Sequence, residues 1–156
     1  MKYARLTKEQ FEELHREFIN FLAAQTITAK EWDEIKTNKP EVAEQELDVF
    51  SDLIWEGVLG KVEYLENISA REMHLFHLTK NEMKLVAIKV LNPAVDLTTT
   101  EGFKWFKHNF RTDSVEIMVA SKEYSEDRNL DKFQLIEKGA VITKGELYRW
   151  FEEILP

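Results

Sequence analysis

The chain has 156 residues, of which 44% are hydrophobic and 32% are charged, and its formal net charge is −8 at pH 7. This length and composition predict one folded domain over residues 1–156. The absence of cysteine excludes disulfides, thiolate metal sites and a cysteine nucleophile. The acidic balance argues against nucleic-acid binding, and no apolar run suits a membrane span or a secretion signal, so we expect a cytoplasmic protein.

A local pattern typical of helix N-termini recurs along the chain. It consists of an apolar residue, Ser or Thr, two residues, Glu or Gln, and another apolar residue, which together form a capping box with its hydrophobic staple. The five hydroxyl positions are Thr7, Thr28, Ser69, Thr79 and Thr143. Each is a candidate helix start, although the β-branched run after Thr79 favours a turn at that position.

Apolar residues at a spacing near 3.6 predict six helices. Their approximate ranges are 8–24, 29–37, 40–59, 101–110, 130–138 and 144–155. Pro40 suits the first turn of the third helix, and Gly139 suits the position just after the fifth. Residues 61–67 fit either a continued helix or a strand, and the spacing of their apolar residues favours the helix.

Alternating apolar and polar residues predict three strands. The segments 73–78 and 83–91 form a hairpin, and 114–120 is the third strand. We therefore expect the α+β class, with a small antiparallel sheet of about three strands packed against N-terminal and C-terminal helices.

Two segments carry a resemblance to known proteins. They are residues 2–11, KYARLTKEQF, and residues 51–59, SDLIWEGVL. In these segments the chain resembles a small family of uncharacterised bacterial proteins of about this length. The resemblance implies a stand-alone bacterial protein and supplies no activity, cofactor or site residue.

The third predicted helix has an acidic face. Glu41, Glu44, Asp48, Asp52 and Glu56 lie on the side opposite its buried residues, and Trp55 projects among them. The simpler interpretation is a solvated face on which another part of the fold covers the indole. The alternative is a surface that docks a protein partner, because Trp is enriched at interface hot spots.

The helix at 101–110 has a basic face opposite its phenylalanines. Lys104, Lys107, His108 and Arg111 follow one another at helical spacing. Cations near a helix C-terminus complement the macrodipole, which is one sufficient explanation. The other is a dock for an acidic partner, including the acidic face of a second copy in a homodimer.

His74 and His77 form the only His-x-x-His pair, and they fall within the predicted strand 73–78. Residues three apart on a strand point to opposite faces, so the two rings cannot share a metal ion there. No glycine-rich phosphate loop or other catalytic motif accompanies them. We therefore predict no metal, no cofactor and no catalytic residue.

Charged and aromatic residues are organised into faces, whereas catalytic groups are not organised at all. The sequence therefore favours a non-enzymatic protein-interaction domain. Two alternatives stay open. One is a metal-assisted hydrolase-type enzyme that uses His74, His77 and nearby carboxylates, and the other is an acidic inhibitor of the immunity type that masks a basic site.

Overall fold

The computed structural model describes residues 1–155 and contains both helices and an antiparallel sheet, which confirms the α+β class. The chain divides into two compact units, Met1–Gly60 and Lys61–Pro156. Within residues 1–155, no helix is long and apolar enough to cross a membrane.

The first unit is helical. Its helices are α1 (Lys8–Glu13), α2 (His15–Ala24), α3 (Ala29–Asn38) and α4 (Pro40–Lys61). Phenylalanine rings fill its core, where the ring centroid of Phe50 lies 5.0 Å from Phe18 and 6.0 Å from Phe11. The single helix predicted over 8–24 divides at Leu14, whose backbone (φ −99°, ψ 21°) departs from helical values.

Two of the predicted capping boxes start helices. The Thr7 hydroxyl accepts the Gln10 N–H at 3.2 Å, and the Gln10 side chain accepts the Thr7 N–H at 2.8 Å. The Thr28 hydroxyl likewise accepts the Glu31 N–H at 3.1 Å. Each hydroxyl therefore satisfies an N–H that has no partner within its own helix.

The other boxes do not cap helices, so the pattern was wrong as a helix signal at Ser69 and Thr143, whereas the turn favoured at Thr79 is confirmed. Ser69 and Thr79 lie in hairpin turns, where the Thr79 hydroxyl accepts the Glu82 N–H at 3.1 Å. The last helix begins after Gly145, which has φ +81°, and not after Thr143. A hydroxyl that accepts an N–H three residues later suits a tight turn as well as a helix N-terminus.

The second unit contains a five-stranded antiparallel sheet in the order β4-β3-β2-β1-β5. The strands are β1 (Tyr64–Ile68), β2 (Glu72–Leu78), β3 (Glu82–Val90), β4 (Val115–Glu123) and β5 (Val141–Ile142). The three predicted strands are confirmed as β2, β3 and β4, but the predicted number was too small.

The helix favoured at 61–67 was wrong, because α4 ends at Lys61 and β1 follows. The buried side chain of β1 is that of Leu65. It lies opposite Phe76 of the neighbouring strand β2 and packs among buried residues such as Leu78 and Met83. A five-residue strand with one buried side chain has too short an alternation to outweigh the helical spacing in the sequence.

Three further helices complete the second unit: α5 (Thr100–Asn109), α6 (Arg128–Glu137) and α7 (Glu146–Ile154). Phe106 of α5 and Phe151 of α7 are fully buried in the same cluster as Met73 and Leu75 of β2. After α6, Gly139 adopts φ +109°, as predicted for the residue that follows a helix.

Two helical glycines provide a matched test of this packing. A Cβ on Gly102 of α5 would lie 1.7 Å from the backbone oxygen of Asp96, whereas a Cβ on Gly57 of α4 would meet nothing within 4 Å. We expect Gly102→Ala to lower the free energy of unfolding by about 1–3 kcal/mol through overpacking. Gly57→Ala should raise it by about 0.5–1 kcal/mol through helix propensity. Chemical denaturation measures both, and equal effects would contradict the close approach at Gly102.

Candidate functional site

The acidic face of α4 lies against a short non-helical stretch, residues 2–6, which we call the N-terminal segment. The two oxygens of the Asp52 carboxylate accept the backbone N–H groups of Lys2 at 2.7 Å and Tyr3 at 2.9 Å. The Tyr3 hydroxyl donates to Glu56. Burial and this hydrogen bond raise the pKa of Tyr3 to about 12, so the hydroxyl stays protonated at neutral pH.

Cationic side chains of the N-terminal segment pair with the remaining carboxylates. Arg5 donates from Nε and Nη2 to Asp48, at 2.8 and 2.6 Å, and from Nη1 to Glu44. Lys2 Nζ lies 2.9 Å from Glu56. These groups are partly exposed, so each pair contributes modestly to stability, and Lys2 and Arg5 together offset two of the five negative charges of the face.

Trp55 is half-buried, and its indole N–H donates to the Ala4 carbonyl at 3.1 Å. The buried Ser51 hydroxyl accepts the Leu6 N–H at 3.1 Å. The structure thus brings the predicted docking residues of α4 together, and it places the N-terminal segment on them. The sequence analysis allowed for another part of the fold over the indole but did not identify it as residues 2–6, although the positive charges of Lys2 and Arg5 were the available signal.

The four residues of the predicted basic face are exposed, but α5 ends at Asn109, so Arg111 lies in the turn that follows the helix and not on the helix itself. We name these four residues, Lys104, Lys107, His108 and Arg111, the basic stripe. Lys107 Nζ lies 5.2 Å from the ring centroid of Phe103, and Arg111 Cζ lies 5.1 Å from that of Phe110. Within residues 1–155, none of the four forms an ion pair with a carboxylate. The stripe therefore presents uncompensated positive charge supported on aromatic rings.

A groove of about 290 Å³ borders the basic stripe between α5 and α7. Its lining consists of Phe103, Lys107, Glu146, Leu147 and Trp150. The predominantly apolar walls can hold one apolar side chain, while Lys107 belongs to both the groove and the stripe. A ligand with an apolar anchor beside negative charge would fit both features.

His74 and His77 point to opposite faces of β2, as predicted. His77 lies on the same face as Leu75, and its ring stacks on Tyr64 with centroids 4.5 Å apart and an interplanar angle of 10°. Tyr148 of α7 lies 5.3 Å away. Among residues 1–155 there is no group of three or more His, Asp or Glu side chains that could hold a metal ion.

The environment of His77 favours its neutral form. Its Nδ1 atom is buried and has no hydrogen-bond partner within the described chain. Burial lowers the pKa of His77, Lys84 and Arg149 act in the same direction, and Glu152 and Glu63 oppose them. A neutral ring that stacks on Tyr64 and contacts the tilted ring of Tyr148 is a packing element of the sheet rather than an accessible base.

An apolar cleft of about 670 Å³ opens in the first unit among α1, α2 and α3. Phe18, Ile19 and Trp32 contribute apolar surface to it. Two of its charged residues, Asp33 and Lys36, pair with each other at 3.2 Å. The cleft can therefore accept apolar groups, but it shows no preference for ligands of either charge.

A model of one protein family, described as a family of unknown function (DUF6495), matches residues 1–156. The chain belongs to this family. The predicted membership in an uncharacterised family is thus confirmed. Neither the curated proteins nor the solved structures contain a match to this DUF6495 member.

The N-terminal segment can be released by a single change on α4. We expect Asp52→Ala to lower the free energy of unfolding by about 1–2 kcal/mol, because two backbone N–H groups lose a charged acceptor. Hydrogen exchange at the amides of Lys2 and Tyr3 should accelerate. The control Glu34→Ala removes an exposed carboxylate of α3 and should change neither quantity, and slow exchange in the Asp52 variant would contradict the contact.

His77 should make stability depend on pH. Its pKa is lowered in the folded protein, so its contribution is complete above the ordinary value of 6.5 and is lost as the pH falls below it. We expect His77→Phe to keep the ring packing and to flatten the fall in unfolding free energy between roughly pH 7 and 5. The control His74→Phe should retain that fall, and identical profiles for all three proteins would refute the assignment.

Proposed function

We propose that this protein is a non-enzymatic protein-interaction domain that binds an acidic segment of a partner protein along the basic stripe of α5. The supporting observation is that Lys104 and Lys107 of α5 and Arg111, two residues after its end, are exposed, and none of the three has an ion-pair partner within residues 1–155. Exposed charge without an internal partner is available to a ligand, whereas the carboxylates of α4 already hold the N-terminal segment.

The groove beside the stripe defines the chemistry of the partner more closely. Trp150 and Leu147 line it together with Lys107, so an apolar side chain could enter the groove while neighbouring carboxylates meet the stripe. Aromatic and cationic residues combined in this way are typical of interface hot spots. The acidic face of a second copy is a poorer occupant, because its Asp52 and Asp48 are engaged within their own chain.

The hydrolase alternative lacks a comparable basis. Its two candidate histidines lie on opposite faces of β2, and the Nδ1 atom of His77 is buried. General acid–base or metal chemistry requires such groups to converge at one accessible place. We therefore assign no catalytic role to His74 or His77.

The proposal is tested by affinity capture from the native host with two double variants of equal charge change. Lys104→Glu with Arg111→Glu reverses the stripe, and Lys30→Glu with Lys80→Glu reverses two exposed lysines elsewhere. We expect wild type and the control pair to capture one acidic partner in stoichiometric amount, and the stripe variant to lose it by at least tenfold. Raising the salt to about 0.5 M should also weaken capture, because exposed charges are screened. Equal capture by all three proteins, or no capture by wild type, would overturn the proposal.

A further inference from the structure

Strand β4 is an open edge of the sheet. It pairs with β3 over nine residues, Val115–Glu123, and no strand within residues 1–155 lies on its other side. Two large apolar side chains near its middle are exposed on opposite faces, Met118 at 56% and Val119 at 63%. A long exposed edge without proline is a template for pairing with another strand.

The hydrogen bonds to β3 show which backbone groups face the open side. Leu91 N–H donates to the Ser114 carbonyl at 2.8 Å, one step beyond the pair Val90 and Val115. In an antiparallel pair, every second residue of a strand forms backbone hydrogen bonds with the partner strand. Because Ser114 bonds to Leu91, directly after β3, the even-numbered residues of β4 bond to β3 as well. The odd-numbered residues therefore direct their backbone groups outwards. They include Ile117, Val119 and Ser121.

The sequence of β4 is complementary to itself when two copies run antiparallel about Val119. In that register Val119 faces Val119 of the second copy in a hydrogen-bonded pair, and Met118 faces Ala120 in a non-bonded pair. Glu116 then faces Lys122, and by symmetry this ion pair forms twice. Shifting the centre to Met118 would place Glu116 opposite Ala120 and abolish both ion pairs.

We infer that a second copy of this chain adds its β4 to this edge and joins the two sheets into one. We choose a second copy as the occupant because a single symmetric register, centred on Val119, pairs opposite charges, brings apolar side chains together and aligns the outward backbone groups of both strands. Directly opposed charges on neighbouring strands attract or repel enough to select a register. The outward backbone groups of the edge gain hydrogen-bond partners in the same step.

Charge reversal tests this register. Sedimentation velocity on the full chain should show a reversible dimer for wild type. Glu116→Lys places two cations opposite each other, Lys122→Glu places two anions opposite each other, and each change should raise the dimer Kd by roughly tenfold or more. An equimolar mixture of the two variants should dimerise again, because both of its pairs join a lysine to a glutamate.

The mixing step separates the interface from a folding defect. Glu116 also lies opposite Lys89 of β3, so its reversal introduces a repulsion inside the chain that mixing cannot repair. Glu126→Lys, an exposed reversal outside β4, should leave the dimer unchanged. Wild type that stays monomeric up to millimolar concentration, or single variants that dimerise as wild type does, would overturn the inference. The stripe variant Lys104→Glu with Arg111→Glu should still dimerise, so this result is independent of the proposed partner binding.

Discussion

The central strands β2 and β3 are packed on both faces, and the rest of the second unit depends on the alternation that this requires. On one face Met73, Leu75 and Val86 lie in the core with α5 and α7, while on the other Leu78 and Met83 are buried in a separate cluster with residues of α6. A slip of one residue would exchange the two sets, so the register is strongly specified. The same alternation directs His74 and His77 to opposite faces of the sheet. In β4, the edge strand, a corresponding alternation of the backbone means that every second residue directs its N–H and C=O groups outwards.

The distribution of charge follows from which carboxylates and cations find partners inside the fold. The acidic face of α4 holds the N-terminal segment through Asp52, Asp48 and Glu56, so a surface that looks like a docking site serves as an internal contact. The basic stripe of α5 has no such counterpart within residues 1–155. Electrostatic recognition uses charges that are both exposed and uncompensated, and on this ground the stripe is the better candidate for partner binding.

Much of the fold could be predicted from the sequence, because helices and long strands carry their periodicity locally. The apolar spacing of α3 and α4 and the alternation in β3 located those elements to within a few residues. The missing strands lacked such a signal. β5 has only Val141 and Ile142, and it exists because those residues pair with Glu66 and Leu65 of β1, which lie far away in the chain. Pairing of this kind is a property of the tertiary structure and leaves no periodic trace in a two-residue segment.

The candidate sites divide in the same way. The sequence by itself determined that α4 carries an acidic face and α5 a basic one, because helical spacing decides which side chains share a face. It could not distinguish a covered face from a free one. Only the tertiary structure decided that Lys2 donates to Asp52, 50 residues away, while Lys104 and Arg111 stay exposed. The physical reason is that a helical face is set by neighbours three and four residues apart, whereas the partner of a charge is set by the path of the whole chain.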